Sequence, residues 1–406
     1  MAQERPRNVK DLLSEAKDTS EVMVDLAYAA LFFDDEDLAE EVDRLEERMN
    51  GYLWDLRRIS MLAARSPEDA ERMGGVLHIA GSIEQIGDSA ADIARVVTAD
   101  LGIPEALRPD LRHADEIVGR VRVHEGGECV GRSLRELSLP VETGMWVLAI
   151  RRGDEWEFEP GPDTVLSQED VLVFQGPEEG ERLIRDLCAA PPQRDRTRKD
   201  APPLSELDRA VDILVEMKNS AEVAVGLAYS ALLFAEPALA AEVATLETRS
   251  DTLQDDLESW VLRAAPEARN PDELRGLIRV AHASEAIFDA ARSMTRLIEE
   301  GEEPHPVIAE AIFASDETSV ETMVEPGSQA DGTALKDLSP ETEAGMFVLA
   351  VQRGRRWIYR PRPRFALESG DRVISIGPED GIPELERLVR APQPVEPQPA
   401  GTNASG

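Results

Sequence analysis

Hydrophobic residues recur at three- and four-residue spacing over the first hundred positions, as they do on the buried side of long helices. Three such stripes follow one another between residues 9 and 99, which predicts three long antiparallel helices. Asp34–Asp37 supplies N-cap residues for the second helix, and Ser66–Pro67 starts the third. Gly102 and Pro104 are expected to end that helix. The first stripe consists of Leu12, Ala16, Thr19, Met23, Leu26, Ala30 and Phe33.

The pattern then changes to alternation and short apolar runs, which is typical of β-strands. Ser133 is placed to cap a short helix, and a closing helix is expected to end near Leu187. Together these elements predict a small α+β domain. The predicted strands are Ile117–Val123, Met145–Ile150, Trp156–Glu159, which pairs with the preceding strand as a hairpin, and Val171–Gln175.

A ten-residue stretch in this small domain shows that the chain is duplicated. Gly144–Gly153 recurs as Gly345–Gly354, at an offset of 201 residues. Residues 131–177 align with residues 332–378 without a gap, and the first helical stripe recurs at the same offset. The chain therefore consists of two copies of one design. We expect the two small domains to pair within one chain, with pairing between chains left open.

The sequence predicts a multidomain protein of α and β structure, with an antiparallel helical bundle in two three-helix halves and two small α+β domains. A proline-flanked linker separates the copies, and a tail rich in proline, glycine and alanine is expected to be disordered. The expected boundaries are 9–105 and 204–303 for the helical halves, 110–190 and 306–391 for the small domains, 191–203 for the linker and 392–406 for the tail.

Composition excludes some partners. The net charge is −37, so nucleic acid and anionic membrane surfaces would repel the chain. The acids are spread over every segment, as on the solvated surface of a protein suited to a salty cytoplasm. No signal peptide and no apolar run of membrane-spanning length is evident, which favours a cytoplasmic protein that is peripheral to a membrane at most. Cys129 and Cys188 imply no disulfide framework and fit a reducing compartment.

The small domain resembles the TrkA-C domain, the ligand-sensing module of potassium transport and channel regulators. The residues that carry this resemblance are Gly131 to Leu137, Gly144 to Gly153, and Asp170 to Gly176. The second copy keeps the same pattern, including a Gly-Asp pair at Gly370 that the first copy lacks. The resemblance implies a regulatory domain that senses a ligand.

The helical segments resemble the PhoU family. Ile83 to Ala94 echoes the family's acidic helix, and Val42 to Glu46 echoes the helix before it. PhoU proteins contain two three-helix halves, which here are separated by a TrkA-C-like domain. Both resemblances together cover nearly all of the chain between residues 9 and 390.

Three arginines are candidate ligand-binding residues. In TrkA-C-like domains the dimer interface near the buried strand can hold a small anionic ligand, which is cyclic di-AMP in some members. A guanidinium group suits phosphate oxygens. The alternative is that these arginines offset nearby surface acids. The candidates are Arg151, Arg152 and Arg353, and Gln352 replaces Arg151 in the second copy.

Acidic residues at four-residue spacing are candidate divalent-metal ligands. Glu84, Asp88 and Asp92 share one helix face, where like charges repel unless something neutralises them. In PhoU-like proteins such helices can bind metal through carboxylate oxygens. Glu285 and Asp289 are the corresponding acids of the second copy. The alternative is a solvated acidic face in an acid-rich protein.

These features favour a non-enzymatic, cytoplasmic, ligand-sensing regulator of potassium or other cation transport. Its expected partner is a membrane-embedded potassium channel or transporter subunit, and a homodimer is left open. The alternative function is a PhoU-type, metal-binding regulator of phosphate uptake. A hydrolase is disfavoured because no nucleophile or organised acid–base pair accompanies the carboxylates.

Overall fold

The computed structural model describes residues 7–101, 116–153, 155–158, 160–191, 206–267 and 271–391. The predictions for Gly102, Pro104, Glu159, most of the linker and the tail fall outside these residues. Within the described part of the chain, no helix combines the length and the apolar character needed to cross a membrane.

Three long helices form the first half of the helical body, as predicted. They are α1 (Val9–Phe33), α2 (Glu36–Ala63) and α3 (Pro67–Thr98). Polar residues start all three. The side chains of Asn8, Asp35 and Ser66 accept hydrogen bonds from free backbone N–H groups of the first turns. The predicted N-caps of α2 and α3 are therefore confirmed.

The first small domain follows as a four-stranded antiparallel sheet with short helices. Its strand order is β1-β4-β2-β3, with β2 and β3 forming the predicted hairpin. Ser133 caps α4 in a capping box with Glu136, whereas α5 was not predicted. The elements are β1 (Glu116–Arg122), α4 (Leu134–Leu137), α5 (Leu139–Thr143), β2 (Trp146–Arg152), β3 (Glu155–Phe158), β4 (Val171–Pro177) and α6 (Glu178–Leu187).

The second copy repeats this order. Its sheet has the order β5-β8-β6-β7, and a short helix, α10, connects the long helices to it. The elements are α7 (Glu206–Phe234), α8 (Pro237–Ala264), α9 (Pro271–Glu299), α10 (Pro306–Phe313), β5 (Glu317–Met323), α11 (Leu335–Leu338), α12 (Pro340–Glu343), β6 (Phe347–Arg353), β7 (Arg356–Tyr359), β8 (Arg372–Pro378) and α13 (Ile382–Val389).

The two helical halves pack together through α3 and α9. His78 Nε2 lies 2.9 Å from the backbone oxygen of Ser293, and Gln85 Nε2 donates to the backbone oxygen of Ala286 at 3.3 Å. Apolar residues of both halves form one continuous core. His78 is thus a structural residue that joins the two copies.

Each sheet is buried on both faces. Leu148 and Val173 of the first sheet, like Leu349 and Ile374 of the second, belong to the core of the helical body. The opposite faces pack on the short helices of their own domains. A continuous apolar run such as Val147–Ile150 suits a strand that is covered on both sides.

Each small domain also docks on the corner between two long helices. In the first copy, Trp156 Nε1 donates to Asp37 at 2.9 Å, and Arg120 bonds the cap residue Asp35. In the second copy, Arg372 bonds Glu236 at 3.1 Å and Tyr359 Oη donates to the backbone oxygen of Ala238 at 3.0 Å. Trp156 lies half-buried at this docking surface and packs against the main core.

The two small domains contact each other within the chain through α5 and α12, which confirms the predicted pairing. Gly345 has a φ of 65°, and a Cβ atom there would lie 2.3 Å from the backbone oxygen of Pro140. Gly144, its counterpart, has a φ of 72°, and its Cβ would lie 2.6 Å from the backbone oxygen of Glu341. Glycine is therefore required twice, for the left-handed backbone and for the close approach.

The variant Gly345→Ala should weaken this small-domain pair. A left-handed alanine costs about 1–2 kcal/mol, and the clash with Pro140 adds about 1–3 kcal/mol. Gly354→Ala is the matched control, because Gly354 has a φ of 62° with no atom near the added Cβ. Urea unfolding measures both variants, and an equal loss of stability in the two would contradict a tight interface at Gly345.

Candidate functional site

A cavity of about 470 Å³ lies where both helical halves meet both small domains. We call it the junction cavity. Its walls come from α1 and α7 of the helical body and from the strands β2, β4, β6 and β8. A cavity of this size is typical of small-molecule sites. Its lining includes Asp18, Glu21, Val22, Tyr28, Trp146, Leu148, Gln175, Lys218, Glu222, Asp316, Glu317, Phe347, Leu349 and Ile376.

Two buried lysines flank the junction cavity in related positions. Lys17 on α1 is 2% exposed and pairs with Glu21 at 2.6 Å, while its Nζ atom lies 5.0 Å from the ring centre of Tyr229. Lys218 on α7 pairs with Glu222 and lies 5.5 Å from the ring centre of Tyr28. Each of these residues is separated from its counterpart by the repeat offset of 201. Each lysine therefore packs on the tyrosine of the other copy.

Lys17 and Asp18 also tie the helical body to the second small domain. Lys17 Nζ donates to the backbone oxygen of Glu317 at 2.9 Å, and the backbone N–H of Asp316 donates to Asp18 Oδ1 at 3.1 Å. Ser315 Oγ donates to the same Glu317 oxygen at 2.7 Å. Because β5 begins at Glu317, these bonds fix the point where the second sheet starts.

The electrostatics of this cluster follow from burial among several acids. Burial alone would lower the pKa of Lys17, but the attraction of Glu21 and Asp18 outweighs it, so the pKa is raised and the lysine stays charged. Burial raises the pKa of Asp18 to about 7, against the opposing attraction of Lys17. Burial and the neighbouring Glu21 raise the pKa of Glu317 to about 7. These two carboxyl groups therefore titrate near neutral pH.

The candidate arginines Arg152 and Arg353 occupy equivalent structural positions at the far ends of β2 and β6. Arg152 binds Asp170 through two nitrogens at 2.9 and 2.8 Å, and Arg353 binds Asp371 in the same way at 2.8 and 2.6 Å. Both aspartates are 1% exposed. Each arginine also donates to a backbone oxygen of the loop before the last strand of its sheet, that of Val165 for Arg152 and that of Ala366 for Arg353. The structure thus gives both arginines internal partners, and their role in ligand binding stays a prediction.

Arg151 is placed differently from the other two arginines. Its guanidinium group lies 5.6 Å from the ring centre of Trp156 on the neighbouring strand. None of the three candidate arginines lines the junction cavity.

The candidate metal ligands on α3 lie among acids and arginines of α2 and α3. Glu84 pairs with Arg57, and Arg95 pairs with both Asp92 and Glu46. Burial raises the pKa of Asp88, and the acids around it add to the shift.

In the second copy, burial together with Asp289, Asp251 and Glu247 raises the pKa of Glu285 to about 7, and burial together with Asp251 raises that of Asp289. Arg296, the counterpart of Arg95, bonds Glu300 instead. Across the described ranges, no group of three or more acidic, histidine or cysteine side chains is arranged to hold a metal ion. Metal binding at Glu84, Asp88, Asp92, Glu285 and Asp289 therefore stays a prediction.

Sequence reasoning missed Lys17, Glu21 and their counterparts. The signal was present, because Lys-x-x-x-Glu followed seven residues later by tyrosine occurs in both copies at the repeat offset. A lysine next to the apolar stripe of a helix that recurs with its acid in both copies indicates a buried charge with a partner. The contact to Glu317, about 300 residues away, had no such signal.

Two family models match the chain. The model of the PhoU domain matches residues 13–97 and 214–298, and the model of the TrkA-C domain matches residues 118–189 and 320–390. Both resemblances predicted from the sequence are confirmed, and with them the fold class.

Known proteins match parts of the chain. A K(+)/H(+) antiporter subunit, KhtT of Bacillus subtilis (strain 168), is 28% identical over 103 residues, which is 25% of this chain. The match spans 62% of that protein's length. The crystal structure of PhoU from Pseudomonas aeruginosa is 16% identical and covers 71% of this chain and 93% of its own, with a TM-score of 0.39. The crystal structure of the GsuK RCK domain is 13% identical, with a TM-score of 0.18. The match covers 68% of this chain and 63% of that one.

The variant Lys17→Met should destabilise the protein by about 3–5 kcal/mol, because Glu21 loses its buried partner and the bond to Glu317 is lost. Urea unfolding measures this change. Arg58→Ala is the control, since its ion pair with Asp55 is exposed and should contribute about 1 kcal/mol or less. The double variant Lys17→Met/Glu21→Gln should recover part of the loss. A Lys17→Met protein as stable as the Arg58→Ala protein would contradict the assigned role of Lys17.

The contribution of Asp18 and Glu317 to the free energy of unfolding should fall as the pH rises from about 4 to about 7. Their folded pKa values of about 7 exceed the ordinary values of 3.8 and 4.5, so the folded state binds more protons in this range. Asp18→Asn removes one titrating group and keeps the acceptor for Asp316, and Asn219 already stands at the equivalent position. The midpoint of thermal unfolding of the Asp18→Asn variant should exceed that of the wild type, and the difference should be larger at pH 8 than at pH 5. A difference between the two proteins that is the same at pH 5 and at pH 8 would contradict this assignment.

Proposed function

We propose that this chain, which contains two PhoU domains and two TrkA-C domains in tandem, is a non-enzymatic regulatory subunit of a potassium transport system. Its partner would be a membrane-embedded potassium channel or transporter, which it contacts from the cytoplasmic side. The relative from Bacillus subtilis is named as a subunit of a potassium–proton antiporter, and this supports the potassium assignment. That match covers a quarter of the present chain, so the assignment to the whole chain is our inference.

The junction cavity is the observation that carries the proposal. Its walls come from all four domains, so a bound molecule would contact the helical body and both sheets at once. Trp146 and Phe347 are equivalent residues of the two small domains, and both line it. A ligand that fits one arrangement of these domains better than another shifts the population toward that arrangement.

The charge of the junction cavity favours a neutral or cationic ligand. Seven carboxyl side chains line it, against the two cationic side chains of Arg48 and Lys218. Both cations face acids, since Lys218 pairs with Glu222 and Arg48 lies 4.0 Å from Glu41. A dianionic nucleotide such as cyclic di-AMP would be repelled from this site. We therefore propose that any binding of cyclic di-AMP uses another surface of the small domains.

The signal would travel through α1. The middle turns of this helix hold the start of β5 through Lys17 and Asp18. Its C-terminal end supports the docking corner of the first small domain through Phe33, whose ring centre lies 4.0 Å from the guanidinium carbon of Arg120. A change in the small-domain pair therefore acts on one rigid helix at two places. The membrane partner would respond to the resulting change in the helical body.

A second candidate function is regulation of phosphate uptake. The PhoU matches in both copies favour it, together with the acidic clusters of α3 and α9. In this alternative, divalent metal would bind the carboxylates and neutralise their mutual repulsion. The two functions make opposite predictions for transport.

Deletion of the gene should change the cellular flux of rubidium-86, a tracer for potassium, and leave uptake of phosphorus-32 phosphate unchanged. Wild-type protein supplied from a plasmid should restore the flux. Lys17→Met should fail to restore it, because the joint between α1 and β5 is lost, whereas Arg58→Ala should restore it. The abundance of each variant in the cell is measured at the same time, so that loss of protein is separated from loss of regulation.

The reverse result would overturn the potassium assignment. If phosphate uptake changes and rubidium flux does not, the phosphate alternative holds. If neither changes under potassium limitation or potassium excess, both transport functions are rejected.

A further inference from the structure

The two cysteines of the chain lie side by side in the first TrkA-C domain. The sulfur atoms of Cys129 and Cys188 are 3.4 Å apart, both residues are free thiols, and each is 1% exposed. Cys129 belongs to the turn after β1, and Cys188 directly follows the last residue of α6. Neither residue lines the junction cavity. The proposed transport function leaves this thiol pair without a role.

Backbone hydrogen bonds hold the two cysteines next to each other. The N–H of Cys129 donates to the backbone oxygen of Leu187 at 3.2 Å, and the N–H of His124 donates to that of Cys188 at 2.9 Å. A disulfide needs the sulfurs at about 2.05 Å. Since the backbone already brings the turn and the helix end together, small side-chain rotations account for most of the remaining approach.

The second TrkA-C domain has the same backbone arrangement without the thiols. Ala330 and Val389 stand at the equivalent positions. The N–H of Ala330 donates to the backbone oxygen of Leu388 at 3.0 Å, and the N–H of Glu325 donates to that of Val389 at 2.8 Å. The fold therefore accepts a small apolar residue at both positions. Apolar packing alone does not require two sulfur atoms in contact.

The environment of the pair favours reaction at Cys129. The pKa of Cys129 is lowered, chiefly because the Cys188 thiol can donate to its thiolate, and Arg132 adds a smaller attraction. The pKa of Cys188 is raised by the same hydrogen bond and by burial. A thiolate is the reactive form of cysteine. The buried Cys129 lies close to the protein surface, because Glu128 and Val130 on either side of it are exposed.

We propose that Cys129 and Cys188 form a reversible intramolecular disulfide, which makes the first TrkA-C domain sensitive to oxidation and leaves the second insensitive. With hydrogen peroxide as the oxidant, the Cys129 thiolate attacks one peroxide oxygen, and hydroxide leaves and is protonated to water. The resulting sulfenic acid is attacked by the Cys188 sulfur, which loses its proton as a second water forms. Two thiols and one peroxide thus give one disulfide and two waters. A dithiol reductant reverses the change.

The disulfide would fasten the closing helix of the domain. It joins the turn after β1 to the end of α6, so α6 could no longer separate from the sheet. This helix packs on α5, and α5 contacts α12 of the other small domain. Oxidation would therefore stabilise one side of the small-domain pair by constraining the unfolded chain.

The test uses the full-length protein, reduced and then freed of reductant. After treatment with hydrogen peroxide, the protein is denatured and alkylated with iodoacetamide, and its intact mass is measured. We expect a monomer that has lost two hydrogens and takes up no alkyl group. Dithiothreitol should restore two alkylated thiols. The thermal midpoint of the wild type should rise on oxidation and return on reduction.

The controls follow the second copy. Cys129→Ala and Cys188→Val carry the residues found at positions 330 and 389, so both should fold, and neither should show the reversible rise. Adding Ala330→Cys and Val389→Cys to the doubly substituted protein should create the same disulfide in the second domain. Two free thiols after peroxide treatment of the wild type, a sulfinic acid, or a disulfide between two chains would each overturn the proposal. A closed disulfide with an unchanged thermal midpoint would overturn the stabilising role.

Discussion

The buried ion pair of Lys17 is the interaction on which the arrangement of the domains depends. A lysine that is 2% exposed is stable only if its charge is matched, and here Glu21 and the backbone oxygen of Glu317 match it. Because one partner lies on the same helix and the other at the start of β5, the charge is satisfied only when the second small domain is docked. Apolar packing accounts for most of the buried surface, but it is non-directional and does not specify one orientation of the domains in this way.

Duplication gives the molecule approximate symmetry, and a few substitutions break it. Lys17 and Lys218 pack on each other's tyrosines, as expected for two copies related by a pseudo-twofold axis. Asn219 replaces Asp18, so only α1 carries a carboxyl group that titrates near neutral pH at this position. Ala330 replaces Cys129, so the thiol pair is confined to the first copy. The two copies thus share one fold but differ in their titratable and reactive side chains.

The same physical rule applies to the other buried charges of the molecule. Arg152 and Arg353 neutralise aspartates that are almost fully buried, and removing either arginine would leave a buried charge unpaired. The acids of the junction cavity outnumber its cations, and several are shifted toward protonation. Perturbed carboxyl groups around a cavity are a sign of a functional site.

The sequence by itself determined the repeat, the long helices and the strands, because periodicity, caps and turn glycines are local. Ser66–Pro67 and Ser133 marked the starts of helices, and the run Met145–Ile150 marked a strand. Only the tertiary structure decided which charges meet. Arg152, a candidate ligand-binding residue, pairs with Asp170, and Lys17 meets Glu317 across about 300 residues. Periodicity shows which side of an element is buried, but the partner of a buried charge depends on how distant elements pack.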